Sequence, residues 1–219
     1  MDIAWLEIAD SPDVWRRAGF VVDEKGRCVI GTVEHRLVGP RSPIGSAGDE
    51  RSGGLARWGV SGIDPSITEI DGLSTLVVDA PDRRPPPQHP NGVFRIDHLV
   101  LRTSSTPRTV TAFAEVGLER RGGRTTTSAG DQVDMTFFWA GEILLELVGP
   151  PQPDVGGPEC RFGGIAYATD DLDGAVALLG DLSTTPVAAV QAGRRITALT
   201  AAAGSSLPIA FMTPHVRSH

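Results

Sequence analysis

The run ILLELV at 143–148 is apolar except for Glu146, and it is predicted to be a β-strand. Side chains of a β-strand point alternately to the two sides of its sheet. Ile143, Leu145 and Leu147 are therefore expected on one face, and Leu144, Glu146 and Val148 on the other. A carboxylate on an otherwise apolar strand is costly unless it is solvated, paired or bound to a metal. Glu146 is therefore the first candidate for a functional side chain.

Residues 93–214 contain the same order of predicted elements twice. Each set begins with a strand and a helix and continues with three β-rich runs. The first helix is expected to have Thr106 as its N-cap and Pro107 at its first position, and the second to have Asp170 or Asp171 as its cap. The ten runs are FRIDHLVLRT, TPRTVTAFAEVG, LERRGGRTTT, QVDMTFFWAG and EILLELVGP, then RFGGIAYAT, DLDGAVALLG, STTPVAAVQAG, RRITALTAAAG and LPIAFMTP. The sequence thus predicts an α+β fold of two βαβββ modules.

The N-terminal part of the chain repeats pieces of this pattern. The run GTVEHRLVGP at 31–40 closely matches GEILLELVGP at 141–150, with Arg36 where the later copy has Glu146. IAWLEIA and SPDVWRRAG supply a strand and a helix, with Ser11 and Pro12 as its cap and first residue. RWGVSGID and GLSTLVVDAP then match the first and last strands of the second module. The helix and middle strands of that module have no counterpart in the N-terminal part. We interpret 1–81 as a reduced copy of the two-module domain.

A Pro-rich segment at 82–92, DRRPPPQHPNG, separates the two copies and predicts a semi-rigid linker. The expected organisation is a reduced copy at 1–81, the linker at 82–92, a two-module domain at 93–214 and a frayed tail at 215–219. His89, within the linker, is expected to be exposed to solvent.

Composition excludes several classes of protein. The net charge of −7 argues against a general nucleic-acid binder, which usually needs a basic face. Cys28 and Cys160 lie far apart with no metal-binding or disulfide spacing, so both are expected to be reduced core residues. The first residues, MDIAWLEIADSPDVW, have acids where a secretory signal needs a positive region, so none is expected here, and no stretch of about twenty apolar residues predicts a membrane span. We expect a cytoplasmic protein that acts without nucleic acid or membrane partners.

The order of the motifs resembles the vicinal oxygen chelate superfamily, which includes glyoxalase I, bleomycin-resistance proteins and extradiol dioxygenases. The runs that carry the resemblance are IDHLVL, ILLELVGP, FGGIAYAT and PIAFMTP. The resemblance covers 93–214 well and 1–81 more loosely. It implies that paired βαβββ modules form a cupped mixed sheet, which in the metalloenzymes of the superfamily binds a divalent ion.

The same resemblance implies where metal ligands would lie. The first and last strands of each module carry them, which in this chain corresponds to His98, Glu146, Gly164 and Ala210. Imidazole and carboxylate suit Zn, Fe, Ni or Mn, but Gly164 and Ala210 have no ligating group, and a catalytic site usually has three protein ligands. One interpretation is half of a metal site completed by water, substrate or another residue. The other is a relic in which His98 and Glu146 bond each other or line a polar pocket.

The reduced copy has no apparent metal site. Trp5 occupies the position of His98, Arg36 that of Glu146, and Gly59 that of Gly164. Glu34 and His35 are neighbours on one strand, so they are expected on opposite faces and cannot both bind one ion.

Further residues are candidates for contacts with a ligand. Arg194 or Arg195 could meet an anionic group through a bidentate contact, and a solvated pair of turn residues is the simpler alternative. Asp134 could be a polar wall residue or a base, although a turn fits as well. Phe137, Phe138 and Trp139 are consecutive and so face both sides of the sheet; at least one, with Phe138 as the named candidate, should form an aromatic wall, and core packing is the alternative.

Three classes of function follow from these residues. The first is a divalent-metal-dependent lyase, isomerase or dioxygenase that binds a small molecule in the cup of 93–214, with Glu146 as the candidate catalytic group. The second is a metal-free small-molecule binding or resistance protein with a degenerate site. The third is an interaction scaffold, against which the small residues at Gly164, Ala166 and Ala210 argue. The two copies are expected to pack together or across a subunit interface, so a homodimer is one expected arrangement.

Overall fold

The computed structural model describes residues 1–40, 54–80, 85–128, 130–154 and 156–214. The expected tail at 215–219 and the first three residues of the expected linker, 82–84, lie outside the described residues. These ranges contain three α-helices, α1 (Pro12–Arg17), α2 (Thr106–Glu115) and α3 (Leu172–Leu179). The strands are β1 (Asp2–Ile8), β2 (Arg27–Ile30), β3 (Val33–Leu37), β4 (Leu55–Ser61), β5 (Glu69–Ile70), β6 (Leu73–Val77), β7 (Val93–Arg102), β8 (Arg120–Ser128), β9 (Asp131–Ala140), β10 (Ile143–Gly149), β11 (Arg161–Thr169), β12 (Val187–Ala188), β13 (Arg195–Ala198) and β14 (Ile209–Met212).

The strands form two mixed sheets whose strand orders correspond to each other. The larger sheet runs β12-β13-β14-β11-β7-β10-β9-β8, and the smaller runs β2-β3-β1-β4-β6-β5. β1 and β4 occupy the central places that β7 and β11 occupy in the larger sheet. The smaller sheet therefore has the same plan with an outer strand missing at each end. The sequence predicted that both middle strands of the reduced second module were lost, but one of them survives as the two-residue strand Glu69–Ile70.

The helices begin largely as the sequence predicts. Ser11 occupies the N-cap position of α1, with Pro12 in its first turn, although the Ser11 side chain makes no capping hydrogen bond. Asp171 caps α3 and accepts a hydrogen bond from the Gly174 amide at 2.8 Å. At α2 the cap is Ser105 rather than Thr106, which is already the first helical residue. None of the helices in the described ranges has the length and apolar character needed to cross a lipid bilayer.

The chain forms two compact units that are interleaved along the sequence. Unit 1 comprises Met1–Trp5, Arg57–Asp82 and His98–Gly163, and unit 2 comprises Leu6–Ala56, Arg83–Asp97 and Gly164–His219. The division into two sheets follows chain order, with β1–β6 in one and β7–β14 in the other. The compact units do not follow chain order, because each combines segments from both sides of residues 82–92. The domain boundary at 82–92 therefore stays a prediction.

Unit 1 has its apolar core between α2 and one face of the larger sheet. Phe113 of α2 lies edge-on to Phe138 of β9, with ring centroids 5.0 Å apart. The side chains of Leu99, Leu101, Leu145 and Leu147 are fully buried on the same side. Because these residues occupy alternate positions of β7 and β10, the face under α2 is the apolar face that the sequence predicts.

A hairpin of the smaller sheet also packs within unit 1. Asp71 and Gly72 form its two-residue turn with φ of 44° and 84°, which suits an Asp-Gly turn between right-twisted strands. The Asp71 side chain accepts hydrogen bonds from Arg108 Nε, at 2.6 Å, and from Thr109 Oγ1 of α2. The start of α2 and the hairpin are thereby joined by a partly buried polar network.

Unit 2 is built around a cluster of aromatic rings. Trp15 and Phe20 lie 4.8 Å apart, and Tyr167 lies 5.5 Å from Phe20. His35 is fully buried beside them, 5.7 Å from Tyr167. Glu34 is only partly buried, so the neighbours Glu34 and His35 face opposite sides of β3 as expected.

His89 is buried, contrary to the prediction of an exposed linker residue. Its side chain accepts a hydrogen bond from the Val21 amide at Nδ1, and its Nε2 lies 3.0 Å from the Val29 carbonyl oxygen. An Nε2–H tautomer satisfies both contacts, and burial lowers the pKa of His89. Cys28 and Cys160 are both buried free thiols, which confirms their prediction as core residues.

Candidate functional site

His98 and Glu146 lie on one face of unit 1, on neighbouring strands. β7 and β10 run parallel, with His98 beside Leu144 and Val100 beside Glu146. Residues paired in this way project to the same side of a sheet, so the two side chains are diagonal neighbours. Both are partly buried, and the alternate residues of both strands are fully buried on the other side. We call the side with His98 and Glu146 the polar face.

Two of the three consecutive aromatic residues of β9 belong to the polar face. Trp139 pairs with Leu144 and Phe137 with Glu146, whereas Phe138 pairs with Leu145. Trp139 is 49% exposed, and Phe138 is fully buried. The structure therefore places Phe138, the expected wall residue, in the core against α2, and it places Phe137 and Trp139 beside Glu146 instead.

The sequence contained the signal that decides between these aromatic residues. β9 and β10 are joined by the two-residue turn Gly141–Glu142, with Ala140 opposite Ile143. Counting back from such a turn pairs Phe138 with Leu145, which belongs to the apolar face. Hairpin register is fixed by loop length, so recognising this turn would have selected Phe137 and Trp139.

Asp134 lies on the opposite side of the sheet from Glu146. It pairs with Gly149 of β10 and accepts a hydrogen bond from Thr125 Oγ1 at 2.6 Å. A cavity of about 310 Å³ lies there, near the start of α2, lined by Thr106, Pro107, Arg120, Gly123, Arg124, Thr125, Asp134, Met135, Thr136, Pro150, Pro151 and Pro153. The structure thus does not bring Asp134 together with His98 and Glu146.

Arg194 and Arg195, in unit 2, are both engaged in ion pairs. Arg194 is 3% exposed and contacts the two carboxylate oxygens of Asp97 at 2.5 and 3.3 Å. Its Nε also donates to the Thr213 carbonyl at 2.8 Å. Arg195 is exposed and pairs with Asp173 of α3 at 2.9 Å. This pairing lowers the pKa of Asp173.

The positions of Gly164 and Ala210, also in unit 2, provide no metal ligand. Ala210 pairs with Ala166 of the neighbouring parallel strand. At Gly164 the chain passes close to Pro208, and a Cβ atom there would stand 3.0 Å from the Pro208 carbonyl oxygen. A larger residue at Gly164 would thus require the neighbouring strand to shift.

The donor groups do not form a complete metal site within the described part of the chain. His98 and Glu146 supply two donors on the polar face. No group of three or more His, Cys, Asp or Glu side chains in the described ranges is placed to hold a metal ion. Since a catalytic metal usually has three protein ligands, the described side chains do not fit such a site.

One residue of the polar face has no counterpart among the predicted site residues. Arg124 of β8 pairs with Met135, and its guanidinium carbon lies 5.7 Å from the centroid of the Phe137 ring. No motif in the sequence distinguishes this residue from the neighbouring arginines at 120 and 121. Only the pairing of β8 with β9 selects it.

Comparison with known proteins shows the fold. No family model matches the chain, and no curated protein sequence matches it. Among solved structures, a mutant of 4-hydroxymandelate synthase from Streptomyces coelicolor is 16% identical, covers 100% of this chain and 94% of its own, and has a TM-score of 0.64. Methylmalonyl-CoA epimerase from Mycobacterium tuberculosis is 14% identical over 57% of this chain and 91% of its own, with a TM-score of 0.45. A variant of the Streptomyces coelicolor epimerase, in complex with 2-nitronate-propionyl-CoA, is 22% identical over 57% and 99%, with a TM-score of 0.43.

The match to 4-hydroxymandelate synthase spans the whole chain. The predicted fold, paired βαβββ modules with an abbreviated N-terminal copy, is confirmed: the chain has a glyoxalase-like fold.

Proposed function

We propose that the protein binds a small molecule on the polar face of unit 1, as a glyoxalase-like binding protein of the vicinal oxygen chelate type. The observation that carries the proposal is the row formed by Phe137, Glu146 and Val100 across three adjacent strands, with Trp139 and His98 in the next row. Apolar surface with a few polar groups is typical of small-molecule sites.

The polar groups of this face define what a ligand must offer. A Glu146 carboxylate accepts hydrogen bonds from a hydroxyl or an amine, and His98 can donate or accept according to its tautomer. Both side chains are partly buried, where a hydrogen bond to a charged group contributes about 1.5–3 kcal/mol. These groups would orient the ligand, and the aromatic residues would supply most of the apolar contact.

Trp139 supports the proposal because it is a large apolar side chain left 49% exposed. Tryptophan combines a large apolar area with a polar N–H group and is enriched at binding surfaces. Residues that the structure engages elsewhere, namely Phe138, Asp134, Arg194 and Arg195, are not part of the proposed site.

The proposal is tested by screening a library of aromatic amines and phenols by ligand-observed NMR. Hits should lose affinity in Glu146→Gln and in Trp139→Ala. Asp134→Asn is the matched control, since it removes a carboxylate from the opposite side of the same sheet. Hits that bind all variants equally, or the absence of any hit with the fold intact, would contradict binding at this face.

A second candidate function, a divalent-metal-dependent lyase, isomerase or dioxygenase, is favoured by the diagonal placement of His98 and Glu146. It requires at least one further ligand from the substrate, from water or from another residue. The test is the metal content of protein purified without an affinity tag and loaded with Zn, Ni, Mn and Fe in turn. Near-stoichiometric metal that is lost in both His98→Ala and Glu146→Gln would support this candidate, and no retained metal in the folded protein would exclude it.

The small-molecule ligand is the partner that this proposal requires. The homodimer, the absence of nucleic-acid and membrane partners, and the cytoplasmic location stay predictions from the sequence.

A further inference from the structure

We propose that His89 is a pH-sensitive latch: its neutral imidazole ring holds the Pro-rich segment against the edge of β2, and a proton at Nδ1 releases that segment. The proposal concerns a conformational change and goes beyond the proposed function, because it uses no residue of the polar face. All the residues that carry it belong to unit 2.

His89 is the buried member of an otherwise exposed segment. The residues before it, 85–88, are exposed, and three of them are prolines, which have no N–H group to donate. His89 itself is 6% exposed. Its Nδ1 accepts a hydrogen bond from the Val21 amide at 3.0 Å, and its Nε2 lies 3.0 Å from the Val29 carbonyl oxygen. These two contacts attach the segment to unit 2.

The contact with Val29 covers the edge of a sheet. β2 is the outermost strand of the smaller sheet, beside β3. An edge strand has backbone groups without a strand partner, and proteins often cover such an edge with a loop. His89 does so at the Val29 carbonyl oxygen, and the Phe20 ring packs edge-on to the imidazole with centroids 5.6 Å apart. Release of His89 therefore exposes the edge of β2 together with the Pro-rich segment.

The backbone groups around the ring accept only neutral histidine. A neutral imidazole has one donor and one acceptor, which match the Val29 carbonyl and the Val21 amide. Histidinium has two N–H donors, so its Nδ1–H would meet the Val21 N–H, and that amide would lose its acceptor. Burial lowers the pKa of His89, and the Val29 carbonyl counters part of this shift. The docked ring therefore resists protonation, whereas the released ring gains a proton near the ordinary histidine pKa of about 6.5.

The charged and titratable groups around His89 do not favour a proton on the docked ring. They are Arg16 of α1, Asp23, Cys28 of β2, His35 of β3 and Asp170 after β11. Within the described ranges neither carboxylate forms an ion pair with His89. His89 lowers the pKa of His35, so a charge on one ring opposes a charge on the other. The Cys28 thiol is neutral, because burial raises its pKa.

Asn91 limits the movement to the residues before it. Its Nδ2 donates to the Ala18 carbonyl at 2.8 Å, and its own carbonyl accepts a hydrogen bond from Thr169 Oγ1 at 3.0 Å. Neither contact involves a group that titrates between pH 5 and 8. Acidification therefore releases the chain at His89 while the start of β7, at Val93, keeps its place.

The test is hydrogen exchange of the full chain, followed by NMR at pH 7.5, 6.5 and 5.5 and corrected for the intrinsic chemical exchange rate. Opening at the Val21 amide should rise by up to about tenfold between pH 7.5 and 5.5, because only the released ring gains a proton. The Phe20 amide, which donates to the Trp15 carbonyl at 3.0 Å, is the matched reference and should change less. His89→Gln has an acceptor and a donor but no titrating group, so opening at Val21 should no longer rise with acid.

A second variant, His35→Leu, separates the two buried histidines. Its Val21 amide should open with acid as in the wild type, because folded His35 gains no proton until about pH 3. No rise in the wild type, or an equal rise in His89→Gln, would overturn the proposal. If His89→Gln exposes the Val21 amide already at pH 7.5, the nitrogen spectrum of the wild-type imidazole decides. A His89 ring that is protonated at pH 5.5 while the Val21 amide stays protected also contradicts the latch.

Discussion

Trp5 lies directly over Gly59 in unit 1. A Cβ atom at Gly59 would come within 2.1 Å of the Cε2 and Nε1 atoms of the indole ring, and Trp5 is 4% exposed. In the alignment of the two copies, these residues occupy the positions of His98 and Gly164. The reduced copy therefore has the Trp5 indole ring at the position where the full copy has the His98 imidazole.

We expect Gly59→Ala to destabilise the protein by about 1–3 kcal/mol, because the added methyl group overpacks a filled space. Urea denaturation provides the measurement. Gly156→Ala is the control: its Cβ would stand 4.0 Å from the nearest atom, Asp154 Oδ1, so the change should stay within about 0.5 kcal/mol. When Trp5→Leu is also present, Gly59→Ala should destabilise the protein less, since the two residues are in contact. Additive effects would show that the indole ring does not occupy this space.

Much of this fold follows from local sequence signals. The alternation of Ile143, Leu145 and Leu147 places the apolar face of β10 under α2, and Asp171 caps α3 as expected. The repeated order of motifs predicts the two-module plan, because each motif needs only its own periodicity to be recognised.

The remaining features depend on contacts between distant segments. Phe138 and Asp134 lie on the side of β9 away from Glu146, and only the register of β9 against β10 shows this. His89 is buried because Val21 and Val29 of the reduced copy supply partners for its ring nitrogens, and nothing near His89 in the sequence indicates those partners. The pairing of Arg194 with Asp97 likewise joins residues 97 positions apart.

We expect Asp71→Asn to weaken the contact between the β5–β6 turn and α2. The Asp71 side chain is 4% exposed and bonds both Arg108 and Thr109, whereas Arg108 is 32% exposed. Breaking a buried pair typically costs 3–5 kcal/mol, and the partial exposure of Arg108 reduces this to about 2 kcal/mol. Asparagine tolerates the left-handed conformation of residue 71, so the turn itself is retained.

Urea denaturation measures this effect, with Asp13→Asn as the control. Asp13 and Arg16 form an exposed pair, with side chains 75% and 44% exposed, so their loss should cost less than about 0.5 kcal/mol. Equal effects of the two variants would mean that the network at Asp71 adds no more than a surface pair.

We expect Arg194→Gln to destabilise the protein by about 3 kcal/mol, because it leaves the Asp97 carboxylate buried without its bidentate partner. Arg195→Gln, at the adjacent position, should change stability little, since that ion pair with Asp173 is exposed. Chemical denaturation of the two variants provides the comparison. If Arg194→Gln kept full stability but abolished ligand binding, Arg194 would be a ligand-binding residue, as the sequence alone suggested.

His35 makes stability depend on pH. Among the described residues neither buried ring nitrogen has a partner at hydrogen-bond geometry, and the ring packs against Trp15 and Tyr167. Burial lowers the pKa of His35 to about 3, and the nearby backbone of Val33 and Cys28 counters only part of this shift. Burial also raises the pKa values of the Cys28 thiol, paired with His35 across β2 and β3, and of the Tyr167 hydroxyl, so both of these groups are neutral. The charge of His89 lowers the pKa of His35 further.

The sign of the pH dependence follows from the number of protons that each state binds. Below the ordinary histidine pKa of about 6.5, the unfolded chain gains a proton that folded His35 does not accept until about pH 3. The free energy of unfolding should therefore fall between pH 6.5 and 3, by up to about 1.4 kcal/mol per pH unit for this one group. His89, whose pKa is also lowered, adds to the fall in the same direction.

The measurement is urea denaturation at pH 7.0, 6.0, 5.0 and 4.5, on wild type and on His35→Leu, over a range in which most carboxylates stay ionised. Leucine removes two unpaired polar atoms from the core, so stability at pH 7 should be kept or raised. In His35→Leu, the free energy of unfolding should fall less on acidification, because the unfolded variant no longer takes up a proton at residue 35. Parallel pH profiles in the two proteins would show that His35 accepts its proton equally well in the folded and unfolded states, which its enclosed position among Trp15, Tyr167 and Cys28 argues against.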